Sequence, residues 1–173
     1  MKNVVLIGFM GTGKTRVGQM VARRLGYKFV DTDDLIVRKT GMPISEIFAK
    51  FGEPHFRDIE QQIVAEVAAQ DSQVIATGGG VPIREKNIRN LRRNGLLFCL
   101  NASPEVIEKR TSNDNSRPLL YTNNRLRQIE ELLEARKPFY SAADYQIDTT
   151  NKTASRVAEE IIRLYRSHAK NQG

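Results

Sequence analysis

The stretch Gly8-Phe9-Met10-Gly11-Thr12-Gly13-Lys14-Thr15 decides how this chain folds. It matches the pattern Gly-x-x-x-x-Gly-Lys-Ser/Thr at every fixed position. It lies between an apolar run, Val4–Ile7, and helix-like sequence from Thr15 to Leu25. In that context the pattern predicts a phosphate-binding loop, or P-loop. Glycines let the backbone turn tightly and aim its N–H groups at phosphate oxygens, and the helix N-terminus adds partial positive charge.

The loop residues have predicted roles in binding ATP and Mg²⁺. Gly11, Thr12 and Gly13 are expected to wrap the phosphates, and Lys14 to reach the β and γ phosphates. Thr15 is expected to ligate Mg²⁺ through its hydroxyl. A chance glycine-rich turn is the competing interpretation, and the agreement of pattern with context weighs against it.

A P-loop does not name a reaction, because GTPases, motor ATPases and small-molecule kinases share it. A GTPase would carry Asn-Lys-x-Asp, and the pair Asn151-Lys152 is followed by Thr153-Ala154 without the aspartate. A motor ATPase would usually be longer than 173 residues and would show an apolar strand ending in Asp-Glu. These observations favour a kinase of the nucleoside-monophosphate-kinase type.

Five short apolar runs alternate with helical patterns along the chain. Their continuous apolar character is typical of parallel strands that are covered on both faces. The strand candidates are Asn3–Ile7, Lys28–Val30, Gln73–Ala76, Leu96–Leu100 and Tyr145–Ile147. The predicted fold class is α/β, with a five-stranded parallel sheet flanked by helices in a single P-loop kinase domain over residues 1–173.

Three local expectations complete the predicted fold. Ser45 is expected to cap a helix that begins at Glu46. The last helix is expected over Ser155–Ser167, followed by a polar tail that frays from His168. The polar, turn-rich stretch Thr111–Asn124 is long enough to favour a lid over an ordinary loop.

Composition narrows the function classes. The formal net charge is +7, so a nucleic-acid-binding face and a cleft for anionic small molecules both come into question. Basic residues are scattered among acids, and aromatic residues make up only 7% of the chain. This distribution favours small-molecule substrates over nucleic acid.

The remaining composition favours a soluble, cytoplasmic protein. The apolar stretch at Val4–Ile7 is too short for a signal peptide, and no run approaches the ~20 residues that cross a bilayer. The single cysteine, Cys99, excludes an internal disulfide and lies in a predicted strand, where it is expected to be a core residue.

Three further groups of residues suit phosphoryl transfer. Asp31-Thr32-Asp33-Asp34 follows the second strand, where one carboxylate can hold Mg²⁺ and another can orient or deprotonate the attacking hydroxyl; Asp34 is expected only to stabilise the helix start. Arg57 can clamp a substrate carboxylate while Glu60, three residues on, fixes its rotamer, although a surface ion pair is the commoner arrangement. Gly78-Gly79-Gly80 follows the third strand, at the edge where ligands contact backbone.

Taken in order, these motifs closely resemble the shikimate kinase family over nearly the whole chain. The resemblance is carried by Gly8–Thr15, by Asp31-Thr32-Asp33, by Gly52-Glu53-Pro54-His55-Phe56-Arg57-Asp58-Ile59-Glu60, by Gly78-Gly79-Gly80, by Arg117-Pro118-Leu119 and by Arg136-Lys137-Pro138-Phe139-Tyr140. It implies transfer of the ATP γ-phosphate to the 3-hydroxyl of shikimate, in the pathway to chorismate and the aromatic amino acids.

The resemblance also implies residue roles. Asp33 would bind the shikimate hydroxyls and help activate the attacking one, and Asp31 would be the water-mediated magnesium partner. The clamp on the shikimate carboxylate would be Arg57 with Arg136, and Gly78, Gly79 and Gly80 would offer backbone contacts to the ring. The lid arginine, with a catalytic role beside Lys14, would be Arg117, and Arg110 would stack on adenine. Phe48 and Phe56 would line the ring pocket. The partners expected are therefore shikimate and ATP with Mg²⁺, and the protein is expected to be a monomer.

Two alternatives remain open at this point. Another small-molecule P-loop kinase, such as a gluconate kinase, would share the loop without requiring the Asp31, Arg57, Gly79 and Arg136 set. A non-catalytic ATP-binding module or basic nucleic-acid binder would bind nucleotide without turnover. The presence of Lys14 and Thr15 in the loop, together with Asp31 and Asp33, argues against this alternative.

Overall fold

The computed structural model describes residues 2–112 and 124–172, and their strands form one five-stranded parallel sheet in the order β2-β3-β1-β4-β5. The strands are β1 (Asn3–Gly8), β2 (Lys28–Asp31), β3 (Gln73–Ala76), β4 (Gly95–Asn101) and β5 (Tyr145–Asp148). The helices are α1 (Lys14–Leu25), α2 (Thr32–Thr40), α3 (Ile44–Ala68), α4 (Glu85–Arg93), α5 (Pro104–Thr111), α6 (Arg125–Tyr140) and α7 (Ala154–Asn171). The predicted α/β class with five parallel strands is confirmed.

Alternate residues of β1 face two separate hydrophobic cores. Val5 and Ile7 pack in the core that α2, α3, α4 and α6 cover. Val4 and Leu6 pack in the core that α1 and α7 cover. All four side chains are fully buried. Because both faces of the sheet are covered, the central strand is apolar at every position instead of alternating.

The strand order brings the polar turns together at one edge of the sheet. β1 lies between β3 and β4, and β2 pairs with the far side of β3. In register, Leu6 of β1 and Asp31 of β2 both pair with Ala76 of β3. The loops that follow these three strands therefore leave the sheet side by side, at the edge where α/β proteins bind ligands.

The helix boundaries differ from the sequence expectations in two places. α3 begins at Ile44, before the expected Glu46, because the N–H groups of Glu46 and Ile47 already donate to the carbonyl of Pro43. It is interrupted at Gly52, whose φ of 83° and ψ of 169° are non-helical. α7 continues to Asn171 instead of fraying from His168. The basic side chains in its last turn stabilise this end of the helix by interacting with the negative end of its dipole.

Most of the predicted lid, Thr111–Asn124, lies outside the described residues, which include Thr111, Ser112 and Asn124 of it. In the described parts of the chain, no helix combines the length and the apolar character that crossing a membrane requires.

Candidate active site

The P-loop turns at glycines whose backbone conformation side chains rarely adopt. Gly11 and Gly13 have φ values of 78° and 92°, in the left-handed region. Gly13 is the N-cap residue of α1, so the loop runs directly into the positive end of the helix dipole. Thr12 is buried and its hydroxyl donates to the carbonyl of Phe9 at 2.8 Å, which ties the loop across its own turn.

Lys14 lies inside the loop. Its Nζ donates to the carbonyl of Gly8 at 2.5 Å and to that of Phe9 at 2.8 Å. Both acceptors lie at the start of the loop, so the ammonium is held against the backbone where β1 ends. The five loop residues predicted to bind ATP are therefore brought together in one place.

Asp31 joins the end of β2 to the P-loop. Its Oδ2 accepts from the Thr15 hydroxyl at 3.1 Å, and its Oδ1 accepts from the N–H of Asp33 at 2.9 Å and of Asp34 at 3.3 Å. Asp31 is thus the N-cap of α2, while Asp33 and Asp34 stand in its first turn. Burial, followed by the negative charges of Asp33 and Asp34, raises the pKa of Asp31.

The Asp33 carboxylate lies against the glycine turn that follows β3. A β-carbon placed on Gly78 would be 2.7 Å from Asp33 Oδ1 and 3.2 Å from Glu60 Oε2. The N–H of Gly78 donates to the Thr32 hydroxyl at 3.1 Å. A side chain at Gly78 would therefore displace the two carboxylates, which is a physical reason for glycine there.

Arg57 is buried on α3, with 7% of its surface exposed. Its Nη1 pairs with Glu60 Oε1 at 2.9 Å and its Nη2 with Glu53 Oε1 at 3.3 Å. The Nε has no hydrogen-bond partner among the described residues, nor does Glu60 Oε2. A β-carbon on Gly80 would collide with the guanidinium. Burial raises the pKa of Glu60, and the charge of Arg57 opposes this.

Arg136, on α6, approaches the same turn from another side. Only 5% of its surface is exposed, and its guanidinium carbon lies 5.5 Å from the centre of the Phe9 ring. Its Nη1 is buried without a hydrogen-bond partner in the described part of the chain, and it lies 3.1 Å from the position of a β-carbon on Gly79. Two buried guanidinium groups thus flank consecutive glycines, Gly79 and Gly80, with nitrogen atoms left unpaired.

The other predicted residues fall as follows. Phe48 and Phe56 are in contact, with ring centres 4.9 Å apart, and the guanidinium carbon of Arg57 lies 5.1 Å from the centre of the Phe56 ring. Arg110, at the end of α5, donates to the carbonyl of Gly11 at 3.1 Å. Arg117 lies outside the described residues.

Sequence reasoning missed three residues that hold this arrangement. Thr32 bonds the Gly78 turn, and Thr149 accepts from Arg110 through its hydroxyl and its carbonyl, each at 3.3 Å. Tyr140 donates its hydroxyl to the carbonyl of Gly79 at 2.8 Å. Thr32 lies within the motif Asp31-Thr32-Asp33, and Tyr140 ends the motif that begins at Arg136. Their places in these motifs are the sequence signal that could have identified them.

The residues Thr15 and Asp31 fit a magnesium ion. They offer a hydroxyl and a carboxylate, hard oxygen ligands of the kind Mg²⁺ takes beside substrate phosphates. Among the described residues no cluster of three or more His, Cys, Asp or Glu side chains could hold a metal. One or two protein ligands beside a P-loop are consistent with an ion shared with a nucleotide.

Comparison with known proteins agrees with this geometry. The family model for shikimate kinase matches residues 10–166. The shikimate kinase of Thermodesulfovibrio yellowstonii is 53% identical over 165 residues, covering 95% of each chain. That of Geobacter sulfurreducens is 46% identical over 167 residues, covering 96% of this chain and 92% of the relative.

Solved structures extend the comparison. The Acinetobacter baumannii shikimate kinase in complex with shikimate has a TM-score of 0.94 at 38% identity, covering 97% of this chain and 94% of that one. A gluconokinase from Sinorhizobium meliloti has a TM-score of 0.64 at 16% identity, over 99% of this chain and 95% of that one, and so shares the fold alone. The chain belongs to the shikimate kinase family.

Proposed function

We propose that this protein transfers the γ-phosphoryl group of ATP to the 3-hydroxyl of shikimate, giving ADP and shikimate 3-phosphate. One observation carries the proposal. Two buried guanidinium groups, those of Arg57 and Arg136, flank a glycine turn beside the P-loop with nitrogen atoms unpaired in the described protein. Buried cations with free donors fit a small carboxylate, and the adjacent Asp33 fits its hydroxyl groups.

The ATP side of the site follows from the loop. Backbone N–H groups of Gly11–Thr15 would hold the β and γ phosphates at the start of α1. Lys14, which rests on the carbonyls of Gly8 and Phe9, would exchange them for phosphate oxygens and neutralise charge as it develops. Arg110, fixed to Gly11 and Thr149, would form a wall of the adenine site.

Magnesium is part of the proposal. Thr15 would ligate the ion directly, and Asp31 would hold it through water, as the family resemblance implies. Their oxygens lie 3.1 Å apart, close enough to serve one ion. The ion would supply charge neutralisation on the phosphate oxygens when bound.

On the acceptor side, Arg57 and Arg136 would clamp the shikimate carboxylate and fix the ring against Gly79 and Gly80. Asp33 would accept a hydrogen bond from the attacking hydroxyl, which orients one oxygen lone pair towards the γ-phosphorus. As the new P–O bond forms, the bond between the γ-phosphorus and the β–γ bridging oxygen would break, and ADP would leave with that electron pair. The proton of the attacking hydroxyl would pass to an Asp33 carboxylate oxygen. Burial of Arg57 and Glu60 keeps water from this side of the site and strengthens the clamp.

Three further parts of the proposal rest on the sequence. Arg117, in the segment Thr111–Asn124, would neutralise the transferring phosphoryl group when that segment acts as a lid. Residues 1–173 would form a single P-loop kinase domain. The protein would work as a cytoplasmic monomer, which light scattering coupled to gel filtration tests for its oligomeric state.

The deciding experiment is a coupled ADP-release assay with MgATP and a panel of acceptors: shikimate, gluconate, AMP and no acceptor. We expect turnover with shikimate above the rate without acceptor, and none with the other two. Turnover with gluconate or AMP instead would keep the P-loop interpretation and overturn the substrate. ATP binding without turnover would favour a non-catalytic module.

Paired variants connect the assay to the clamp. Arg57→Lys and Arg136→Lys keep the charge but lose the bidentate fork, so each is expected to raise KM for shikimate roughly 10- to 100-fold with little change in KM for ATP. Arg84→Lys is the matched control, because Arg84 pairs with the exposed Asp58 on the protein surface. Equal effects of all three substitutions would contradict the clamp.

A further inference from the structure

Tyr140 is a buried tyrosine that the mechanism above does not use. It is the last residue of α6, one helical turn after Arg136, and 6% of its surface is exposed. Its hydroxyl donates to the carbonyl of Gly79 at 2.8 Å. The helix that supplies one arginine of the clamp is therefore bonded directly to the glycine turn that faces it.

The main chain of Tyr140 is itself fixed. Its carbonyl accepts from Gln146 Nε2 at 2.9 Å, and Gln146 Oε1 accepts from Asn101 Nδ2 at 2.8 Å. Gln146 and Asn101 belong to β5 and β4, so the end of α6 is anchored to the sheet. Because the main chain of Tyr140 is anchored in this way, the position of its phenol relative to Gly79 is fixed.

The bond to Gly79 orients a peptide group. In a trans peptide the carbonyl of one residue and the N–H of the next point in opposite directions. Holding the carbonyl of Gly79 towards α6 therefore aims the N–H of Gly80 the other way, on the residue whose β-carbon would collide with Arg57. One hydroxyl thus sets both the plane of the turn and its spacing from the two arginines.

The Tyr140 hydroxyl keeps its proton and so remains a hydrogen-bond donor to Gly79. Burial raises the pKa of Tyr140 to about 12, although the positive charge of Arg136 and the hydrogen bond between Arg136 and the phenol oppose the rise. The phenol stays protonated at neutral pH, so it can only be lost as a donor by substitution.

We propose that Tyr140 is a positioning residue for the acceptor site: its hydroxyl fixes the Gly79–Gly80 peptide relative to Arg136 and Arg57, and thereby sets the affinity for the acceptor and not for ATP. This inference rests on the proposed function and deepens it, because it assigns a residue to shikimate recognition that does not contact the substrate.

Tyr140→Phe removes the hydroxyl and keeps the ring. Steady-state kinetics are expected to show KM for shikimate raised roughly 3- to 10-fold, the loss of one hydrogen bond, with kcat and KM for ATP within about twofold of wild type. This split distinguishes positioning from a general loss of structure, which would lower the active fraction and leave both KM values unchanged.

Tyr165→Phe is the matched control. The Tyr165 hydroxyl lies 2.8 Å from that of Tyr27 and donates to the carbonyl of Lys2 at 2.7 Å, on the far side of the molecule from the clamp. We expect Tyr165→Phe to lower the urea midpoint of unfolding and to leave both KM values unchanged.

Two results would overturn the inference alone: an unchanged KM for shikimate in Tyr140→Phe, or equal rises in KM for shikimate and ATP. If the wild-type protein does not phosphorylate shikimate, the proposed function fails and takes the inference with it. The wild-type rate, measured first, therefore separates the two failures.

Discussion

Arg57 and Glu60 form a buried ion pair one helical turn apart, with 2.9 Å between Nη1 and Oε1 and 1% of Glu60 exposed. The same guanidinium also touches Glu53, whose side chain is 50% exposed. One arginine therefore has a partner in the interior and a partner in water. The dielectric environment makes these two contacts unequal, because water screens the outer pair.

Glu60→Gln is expected to raise KM for shikimate about tenfold or more and to leave KM for ATP unchanged. The substitution removes the charge that fixes the Arg57 rotamer and leaves that guanidinium without an anionic partner in the interior. The free energy of unfolding should change little, because burial raises the pKa of Glu60 and so already penalises its charged form. Initial rates at varied shikimate and urea unfolding measure the two effects. Glu53→Gln is the control and should leave both KM values unchanged; a rise in KM for shikimate as large as that of Glu60→Gln would contradict the buried pair's role.

Asp31→Asn tests whether the charge of Asp31 destabilises the fold while it helps to bind Mg²⁺. The pKa of Asp31 is raised above its ordinary value of 3.8, so the folded state takes up this proton more readily than the unfolded chain. The stability from this group is therefore fully present below pH 3.8 and is lost as the pH rises through the folded pKa. Asparagine keeps the N-cap acceptor. The variant should be more stable than wild type at pH 7, and the difference should vanish below pH 3.8.

The same substitution should weaken the apparent affinity for Mg²⁺ in the ADP-release assay roughly 10- to 100-fold, as loss of an outer-shell metal partner does. Asp31→Ala is the comparison, since it loses the cap as well and should be about 1 kcal/mol less stable than Asp31→Asn at either pH. Urea titrations at pH 7 and below pH 3.8 measure the stability of wild type and both variants. A variant Asp31→Asn less stable than wild type at pH 7 would show that the charge stabilises the site.

Gly80→Ala tests how closely the glycine turn approaches Arg57. The φ of −94° and ψ of 0° at Gly80 are open to alanine, so the expected effect comes from overlap of the new methyl group with the guanidinium. Overpacking of this kind should raise KM for shikimate roughly 5- to 100-fold. Gly26→Ala is the control: its φ is 72° with no atom within 4 Å, so it should cost about 1 kcal/mol of stability without changing either KM.

Cys99 should behave as an inert core thiol. Burial raises its pKa to about 12 despite the nearby positive charge of Lys14, so little thiolate exists at pH 8. With one cysteine in the chain, reaction with a thiol reagent should follow unfolding: slow in buffer and stoichiometric in guanidinium chloride. Absorbance of the released aryl thiolate measures this. Labelling of the native protein at the rate of free cysteine would contradict the burial.

The sequence was sufficient for the fold because each decisive signal is local. The P-loop glycines need positive φ where they stand, and the apolar runs of β1 and β4 require cover on both faces wherever their partners lie. Four of the five strands extend beyond their predicted bounds. The added residues are Gly8 in β1, Asp31 in β2, Gly95 and Asn101 in β4, and Asp148 in β5. A strand continues into residues that are not apolar when the backbone of a neighbouring strand supplies hydrogen bonds. A hydropathy pattern reflects side chains alone, so it cannot predict these strand ends.

The sequence by itself therefore determined the fold class, the P-loop, the shikimate kinase resemblance and the residue types of the site. Only the tertiary structure decided which side chains meet. Asp31 is at once the cap of α2 and the partner of Thr15, and Tyr140 of α6 reaches Gly79 after β3, 61 residues away along the chain. Such contacts depend on strand order and on the angle at which helices pack, which are set by burial over the whole chain and leave no periodic mark on any one segment.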